Sequence, residues 1–396
     1  MRRLLAVNTG SSSLKLGVFH AVHQVWRERS IHVARVGDTQ SRLTVHDEAG
    51  HVLLDERRRI ADHADALRCA FDSLDALTDV TGVGHRIVRS ARRYQVAEEL
   101  TPALVEELRP LASLDPDHTP QSLAVIAESQ RLFPAARHFA CFDSAFHRTM
   151  PVVAQLYPLP RRFFDQGILR FGFHGLSCEY IISRLRSLHP AAAEGRLIVA
   201  HLGSGASLTA VAAGQSVDTT MGFSPTSGIT MSTRSGDLDP TILLHMQDTL
   251  HKSTADLRAL TNQQSGLLGI SGSTSDMREL LEREVWDAAA AEAVALFCYI
   301  AKKHLGALMT VLGGIDTLVF TGGIGEHAAP VRRRICAGLE SFGIVIDSAR
   351  NSQGEPIISS EGSRVTVRVM STDEEMMIAM HVRRQLTEVG NKNVSF

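Results

Sequence analysis

The strongest constraint on the fold is a strand–turn–strand pattern that occurs twice in the chain. Residues 4–19 (LLAVNTGSSSLKLGVF) pass from an apolar run through a Gly-Ser turn into a second apolar run, and residues 197–214 (LIVAHLGSGASLTAVAAG) repeat this plan. Gly10 and Gly203 occupy the same place in the two copies, 193 residues apart in a chain of 396 residues. A period this long predicts two domains of similar fold rather than a solenoid of short repeats.

A third glycine-rich turn follows another apolar strand, at residues 316–339 (DTLVFTGGIGEHAAPVRRRICAGL). We expect a strand, a GGIGE loop and then a helix, an arrangement that directs backbone N–H groups toward an anion. Elsewhere, strand-like runs alternate with helical patterns near residues 64–77 and 120–132, which predicts α/β architecture. Three such turns, each after an apolar strand, predict a phosphate-binding protein.

The net charge and the composition of the chain indicate which partners and which compartment to expect. The net charge of −2 favours neither a nucleic acid nor another polyanion as a partner. The arginine clusters at 57–59 and 332–334 are interpreted as solvated faces of helices. The five cysteines form no CxxC pair, which predicts a reducing compartment. The longest apolar region, 288–300, contains a glutamate and predicts a buried helix rather than a membrane span. We therefore expect a cytoplasmic protein with no membrane partner.

The familiar nucleotide-binding fingerprints are missing from the sequence. It contains neither GxxxxGK[ST] nor a complete GxGxxG, because GGIGEH lacks the last glycine, and it has no protein-kinase signature. This disfavours a Rossmann oxidoreductase. A nucleotide would instead have to be held by hairpin turns from each half, as in the actin, Hsp70 and sugar-kinase superfamily.

Eight motifs identify the chain as similar to acetate kinases, members of the acetokinase family. In chain order they are VNTGSSSLKLGVF, FDSAFHRTMP, FGFHGLS, HLGSGASL, SVDTTMGFSPTSGITMSTRSGDLDP, SGSTSDMREL, FTGGIGEH and STDEEMMIA. The resemblance runs from about residue 4 to residue 380. It implies an α/β fold of two duplicated actin-like (ribonuclease H-like) domains with an active-site cleft between them. The expected domains are 1–147 plus 376–396, which includes a returning C-terminal helix, and 148–375.

The resemblance implies a carboxyl-acceptor phosphotransferase. The expected reaction is the reversible transfer of the ATP γ-phosphoryl group to acetate, which gives acetyl phosphate and ADP by in-line displacement. A propionate or other short-chain acyl kinase is the first alternative. An actin-like ATP-binding switch without acyl transfer is a more distant one, and ATP turnover that needs no carboxylate would identify it.

The resemblance implies the catalytic residues, and the charges that must meet in the reaction explain why such residues are needed. Acetate, with a pKa of about 4, is already ionised at neutral pH and needs no general base, but its approach to ATP must be relieved of repulsion. Arginines suit this task because their rigid forks match anions, and the resemblance points to Arg86 and Arg234. It also implies that His174 hydrogen-bonds the transferring phosphoryl group. Asp143 matches a residue described in the family as a proton acceptor or donor, but orienting an arginine or holding a metal-bound water fits the pKa argument better.

Mg²⁺ is the expected cofactor, with Mn²⁺ as a substitute and ATP as the co-substrate. Mg²⁺ prefers oxygen ligands and usually keeps several waters. The resemblance assigns it to Asn8 and Glu374, one in each expected domain, and Glu375 is an open alternative to Glu374. In the opening turn, Ser11 to Ser13 would offer donors to phosphate oxygens.

Two further sets of residues are implied by the resemblance. The ATP-binding set is Lys15, His201, Leu202, Gly203, Ser204, Gly205, Asp276, Met277, Arg278, Gly323, Ile324, Gly325, Glu326 and His327. The acyl-binding set is Arg86, Val88, Leu114, Phe173 and Pro225. An extra methylene is discriminated by only about 1–3 kcal/mol in an apolar pocket, so propionate is expected to be a substrate as well.

The chain departs from the family pattern at several positions. GHRVVHGG of the family reads GHRIVRSARR here, which introduces Arg89, Ser90 and Ala91, and HLGNG reads HLGSG at Ser204. The loss of two glycines is expected to reshape that turn, whereas the proposed catalytic residues are retained. The partners expected are therefore a small carboxylate and a nucleotide, and the resemblance implies a homodimer.

Overall fold

The structure is a computed structural model that describes residues 3–22, 24–74, 77, 79–89, 94 and 96–392. The chain divides into two compact units. The first unit comprises Met1–Ala145, Gly175–Tyr180 and Asp373–Phe396, and the second comprises Phe146–His174 and Ile181–Thr372.

The secondary structure alternates strands and helices along the described chain. The strands are β1 (Arg3–Thr9), β2 (Ser13–Ala21), β3 (Val25–Ala34), β4 (Ser41–Asp47), β5 (Val52–Arg58), β6 (Val80–Ile87), β7 (Glu98–Glu99), β8 (Arg137–Phe142), β9 (Arg196–Leu202), β10 (Ala206–Ala212), β11 (Gln215–Thr219), β12 (Thr317–Thr321) and β13 (Thr366–Val369). The helices are α1 (His63–Asp72), α2 (Pro102–Leu108), α3 (Thr119–Leu132), α4 (Val152–Gln155), α5 (Arg161–Asp165), α6 (Gly175–Leu188), α7 (Pro190–Glu194), α8 (Pro240–Asp248), α9 (Thr254–Gln263), α10 (Gly266–Ser271), α11 (Met277–Arg283), α12 (Ala288–Val311), α13 (Gly322–His327), α14 (Ala329–Cys336), α15 (Ser348–Gln353) and α16 (Glu374–Lys392). Short 3₁₀ segments lie at Arg109–Ser113, Ala145–Thr149 and Glu340–Phe342.

The first unit is built on a sheet with the strand order β5-β4-β3-β2-β1-β6-β8-β7. Strand β1 is antiparallel to β2 and parallel to β6, which is parallel to β8. Successive side chains of a strand point to opposite faces. Leu4 of β1 accordingly packs in a cluster with Ile378 of α16, whereas Leu5 packs in a second cluster with Leu67 of α1 and Val125 of α3. The central strand is thus buried on both faces.

The second unit contains a sheet with the strand order β11-β10-β9-β12-β13. Strand β9 is antiparallel to β10 and parallel to β12, which is parallel to β13. The strands β3-β2-β1-β6-β8 of the first unit have the same order and the same directions. This agreement confirms the prediction of two α/β domains built on one plan.

Helix α12 is the helix of the described chain that is long and apolar enough to cross a membrane. It begins after Asp287, whose side chain accepts hydrogen bonds from the first turn. Its buried residues, which include Val294, Phe297, Ala301 and Leu305, recur at helical spacing and form one face. It is therefore a core helix that is buried on one side.

The arginine cluster at 57–59 does not form a helix face. Arg57 and Arg58 lie in the exposed edge strand β5, so the helix prediction is wrong for this cluster. Arg57 is registered opposite Arg42 and Glu56 opposite Leu43 of β4. Pairing with β4 thus overrides the helix propensity of this charged run, since tertiary context outweighs local preference.

The five cysteines are free and buried. Burial raises the pKa of the Cys298 thiol to about 11 and that of Cys336 to about 12. Both thiols are therefore protonated at neutral pH.

Candidate active site

A polar cluster lies at the carboxyl ends of the central strands of the first unit. The Nη2 group of Arg86, on β6, donates to Oδ2 of Asp143 at 2.7 Å. Asp143 directly follows β8 and is fully buried. Its backbone N–H donates to the carbonyl of Ile87, and its carbonyl and Oδ1 accept from the first backbone N–H groups of α6. Because β6 and β8 are parallel neighbours, this ion pair is fixed by the sheet itself.

Asn8, at the end of β1, connects this ion pair to two glutamates. Its Nδ2 group donates to Oε2 of Glu374 at 2.8 Å and to Oε1 of Glu375 at 2.7 Å. Its Oδ1 atom lies 3.5 Å from Nη1 of Arg86. The resemblance predicts Glu374 in the second domain, but the structure groups it with Asn8 in the first unit. The reason is that α16 packs on β1 and β6, and Glu374 is the first residue of this helix.

Opposing charges stabilise the ionised form of Arg86. Burial alone would lower the pKa of its guanidinium group, but the negative charges of Asp143 and Glu374 raise the pKa above its usual value. For Glu375, burial raises the pKa of the carboxyl group, the charge of Lys15 opposes this shift, and the charge of Glu374 adds to it. Glu374 and Glu375 thus repel each other in a site where a cation would relieve the repulsion.

The three polar side chains Asn8, Glu374 and Glu375 suit a hard cation. The two glutamates offer carboxylate oxygens, which Mg²⁺ prefers, and Mg²⁺ needs only one or two protein carboxylates because it keeps waters and phosphate ligands. Asn8 holds both carboxylates through Nδ2, while its Oδ1 atom faces Arg86. Among the described residues, no group of three or more His, Cys, Asp and Glu side chains that could enclose a metal is present.

His174 is the centre of a second cluster, in the second unit. Its Nδ1 atom lies 2.9 Å from the hydroxyl of Ser207 on β10. Its ring stacks on that of His201, at the end of β9, with ring centroids 4.2 Å apart. A Cβ atom at Gly205 would lie 3.1 Å from Nε2 of His174 and 3.5 Å from Nη1 of Arg234. The histidine and the arginine therefore meet at a backbone position that has no side chain.

The segment that carries Arg234 runs beside the turn between β9 and β10. The backbone N–H of Ser232 donates to the carbonyl of Ser204 at 3.2 Å. Nη1 of Arg234 donates to the carbonyl of Pro225 at 3.2 Å. These bonds bring together the predicted residues His174, His201, Gly203, Ser204, Gly205, Pro225 and Arg234. The cation and the imidazole beside glycine backbone form an arrangement suited to a phosphate-sized anion.

The GGIGEH segment is helical. The sequence predicts a loop here, which is wrong, because Gly322–His327 form the short helix α13 directly after β12. Gly322 has φ of +76°, and a Cβ atom there would lie 2.8 Å from the carbonyl oxygen of Leu202. Only glycine allows this close approach, which places α13 against the end of β9.

A buried arginine fixes the end of α13. Arg332, on α14, is 1% exposed and donates to the carbonyls of Gly325 and Glu326 and to the side chain and carbonyl of Asn351. Its interpretation as part of a solvated face is wrong. No local sequence pattern signals this role, because the bonds to Asn351 join two different helices, α14 and α15.

The remaining ATP-binding candidates occupy varied positions. Asp276 is the N-cap of α11 and accepts from the backbone N–H groups of Arg278 and Glu279. Met277 is buried, and the side chain of Arg278 is 84% exposed. Lys15 is exposed on β2. Asp276 therefore has a capping role whether or not it contacts a nucleoside.

The acetokinase family model matches residues 3–380. The chain belongs to the acetokinase family. An acetate kinase from Methylocella silvestris is 39% identical over 402 residues, which cover 98% of this chain and 99% of that protein. A crystal structure of Porphyromonas gingivalis acetate kinase has 32% identity and a TM-score of 0.86, covering 98% of this chain and 100% of that chain. A crystal structure of a propionate kinase from Francisella tularensis has 32% identity and a TM-score of 0.90, with 97% and 100% covered.

The acyl-binding candidates of this family member differ in exposure. Val88 and Phe173 are buried, Pro225 is half-buried and Leu114 is 45% exposed. Arg89, which departs from the family pattern, is buried. Ser90 and Ala91 lie outside the described residues.

Proposed function

We propose that this acetokinase transfers the γ-phosphoryl group of ATP reversibly to acetate. A carboxylate oxygen of acetate forms a bond to the γ-phosphorus, the bond from that phosphorus to the bridging oxygen breaks, and ADP leaves with the bonding electrons. The observation that carries the proposal is the approach of His174 and Arg234 to Gly205. There, the guanidinium group of Arg234 and the imidazole of His174 converge on glycine backbone that has no side chain.

The main task of the proposed catalytic residues is to reduce the electrostatic repulsion between acetate and the phosphates of ATP. Arg86 and Arg234 would neutralise the repulsion between acetate and the phosphates, and His174 would hydrogen-bond the transferring group. Transition-state contacts of this kind are worth about 10³–10⁵ in rate for an arginine. Asp143 would orient Arg86 rather than remove a proton, since acetate is already ionised. Its complete burial and its bond to Arg86 support this role.

The nucleotide would be held by the turns and short helices of the second unit. The proposed contacts are His201, Leu202, Gly203, Ser204, Gly205, Asp276, Met277, Arg278, Gly323, Ile324, Gly325, Glu326 and His327, with Lys15 and the serine turn of the first unit. The packing of α13 against the end of β9 supports a shared role for the two glycine-rich segments.

Mg²⁺ would be held by Asn8 and Glu374, with Mn²⁺ as a substitute. When bound, the cation neutralises phosphate charge and screens the adjacent carboxylates. The pairing of Asn8 with both Glu374 and Glu375 supports the location, and leaves either carboxylate able to act as the ligand.

Propionate kinase is the second candidate function. A propionate kinase structure is as similar to this chain in sequence as an acetate kinase structure is. The proposed acyl contacts, Val88, Leu114, Phe173 and Pro225, are apolar, so they would select against longer chains only by size.

A hydroxamate assay for acyl phosphate tests both candidates. The protein is incubated with ATP and acetate, propionate or butyrate, with and without Mg²⁺, and kcat/KM is compared. We expect acyl phosphate from acetate only in the presence of Mg²⁺, with propionate used less well. A higher kcat/KM for propionate would favour the second candidate. ATP hydrolysis that is independent of carboxylate would contradict both and favour an actin-like switch.

We also propose a homodimer in the cytoplasm. Large apolar side chains are exposed near α11 and α12 of the second unit, among them Val285 at 87%, Trp286 at 72% and Tyr299 at 65%. Such exposed groups are typical of protein interfaces. Five buried free thiols fit a reducing compartment. Sedimentation equilibrium of Trp286→Asp beside the unchanged protein tests the dimer, and we expect the substitution to weaken it.

A further inference from the structure

His147 is a fully buried histidine whose two ring nitrogens both have partners. It lies in the 3₁₀ segment Ala145–Thr149, four residues after Asp143. Its Nε2 atom is 2.9 Å from the carbonyl oxygen of Phe173, and its Nδ1 atom is 2.9 Å from the hydroxyl of Ser216 on β11. The ring therefore connects three separate segments of the second unit.

The partners determine which ring nitrogen carries the proton. A carbonyl oxygen can only accept, so Nε2 of His147 must carry the hydrogen that it donates to Phe173. In the neutral ring, Nδ1 is then the acceptor for the hydroxyl of Ser216. The carbonyl of Ser216 in turn accepts from Oγ1 of Thr149 at 2.9 Å. The imidazole is thus held at both ends.

The carbonyl that His147 binds belongs to the peptide immediately before His174. His174 has φ of +59°, in the left-handed region that costs a residue with a side chain about 1–3 kcal/mol. Gly172 has φ of +73°, and a Cβ atom there would lie 2.5 Å from the ring of His147. The ring therefore packs against Gly172, where a side chain would clash with it, and its N–H fixes the orientation of the peptide between Phe173 and His174.

We infer that His147 is a positioning residue that holds His174 in its left-handed conformation, with its ring against His201 and beside Gly205. The inference rests on the proposed role of His174 in phosphoryl transfer. If the Phe173–His174 peptide were free to rotate, the left-handed strain would be relieved and the imidazole of His174 would leave Gly205. The hydrogen bond from His147 offsets that strain.

A double-mutant cycle tests the inference with the full-length protein. His147→Phe keeps the ring volume but loses both hydrogen bonds, and we expect it to lower kcat by about 10- to 100-fold with KM for ATP changed less than about twofold. His147→Gln, whose amide can donate to Phe173, should recover part of kcat. In a His174→Ala background, His147→Phe should lower kcat by less than about twofold, because the residue through which it acts is gone.

Ser216→Ala is a less disruptive substitution, and it decides the test if His147→Phe does not fold. It keeps the ring and removes only the Nδ1 partner, so it should lower kcat by about two- to fivefold in the unmodified protein and not at all in the His174→Ala background. An unchanged kcat in the unmodified protein would contradict the inference. His304→Phe, on α12, is the matched control and should leave kcat unchanged. Far-ultraviolet circular dichroism at the assay temperature establishes which variants are folded.

The outcomes distinguish the inferred positioning role of His147 from the proposed role of His174 in phosphoryl transfer. If His174→Ala lowers kcat strongly and His147→Phe or Ser216→Ala lowers it by the same factor in both backgrounds, His147 only supports the fold and the inference is wrong. If His174→Ala leaves kcat unchanged, the proposed role of His174 fails first. A loss confined to the unmodified background, with partial recovery in His147→Gln, supports the inference.

Discussion

The two units use the same strand order but present different chemistry at the ends of the strands. In the first unit, the central strands end in charged or amide side chains, with Asn8 near the end of β1, Arg86 on β6 and Asp143 after β8. In the second unit, β9 and β12 run into glycine-rich segments at Gly203 and Gly322. The first site is therefore maintained by ion pairs between side chains, whereas the second depends on backbone that no side chain obstructs. We therefore expect one type of substitution to affect activity and stability differently in the two units.

Replacing the proposed catalytic arginine of each unit should give the largest effects. Both variants should lose activity, but they should differ in stability. We expect Arg234→Ala and Arg86→Ala each to lower kcat by about 10³-fold or more, since both would act on transition-state charge. Arg86→Ala should also lower the free energy of unfolding by about 3–5 kcal/mol, because it leaves the buried carboxylate of Asp143 without its partner. Steady-state kinetics and urea unfolding measure the two effects.

The control for both arginine variants is Arg137→Ala, on β8, whose surface ion pair with Glu99 is worth at most about 1 kcal/mol. It should change kcat by less than about twofold. Near-normal activity of Arg234→Ala would contradict its proposed role.

Adding a methyl group should damage the second unit without unfolding it. Gly205→Ala places a Cβ atom 3.1 Å from Nε2 of His174, and we expect kcat to fall by about 10²-fold because small misplacements of reacting groups are costly. Gly306→Ala, on α12, meets nothing within 4 Å and should leave kcat unchanged while raising the melting temperature. Equal kcat values for the two variants would show that the space beside His174 is not used.

The glutamates beside Asn8 should control the requirement for Mg²⁺. We expect Glu374→Gln to raise the Mg²⁺ concentration for half-maximal activity by about tenfold or more, with a smaller change for Glu375→Gln. Glu388→Gln, exposed near the end of the same helix, is the control. If Glu375→Gln had the larger effect, the metal ligand would be Glu375 instead.

The smallest expected effect is a decrease in the stability of the first unit as the pH falls. His85 donates from Nε2 to Nδ1 of His138 at 3.2 Å, and His138 donates to the carbonyl of Phe133. Burial lowers the pKa of both rings, and the charge of His138 lowers that of His85 further. Below about pH 6.5 the unfolded state binds protons that the folded state does not. The free energy of unfolding should therefore fall as the pH falls from about 6.5, by up to about 1.4 kcal/mol per pH unit and per histidine.

Urea unfolding at several pH values measures this slope. The chain has two tryptophans, and Trp286→Phe leaves Trp26 of the first unit as the reporter. Replacing His85 with Leu should lower stability overall but flatten the slope, whereas His245→Phe on the exposed helix α8 should leave it unchanged. A slope that His85→Leu does not alter would contradict this assignment.

Motif order predicted the family and the fold of this chain well, because strand–turn–strand patterns are local. Contacts that depend on distant segments were not predictable. Arg332 belongs to a run of three arginines that looks solvated, yet its side chain is buried against α13 and α15. Glu374 was assigned to the second domain because sequence position does not show on which sheet a final helix packs. His147 looked like part of a motif, and only the fold reveals that it holds the carbonyl before His174.

The buried thiols can report how often the chain around them opens. A thiol-reactive dye can label a cysteine only when the surrounding chain opens, and it reacts with the thiolate form. Cys69, Cys141 and Cys178 lie in the first unit, and Cys298 and Cys336 lie in the second. The rate at which each position is labelled, read by peptide mass spectrometry, would therefore report how often each unit opens, and whether ATP slows one more than the other.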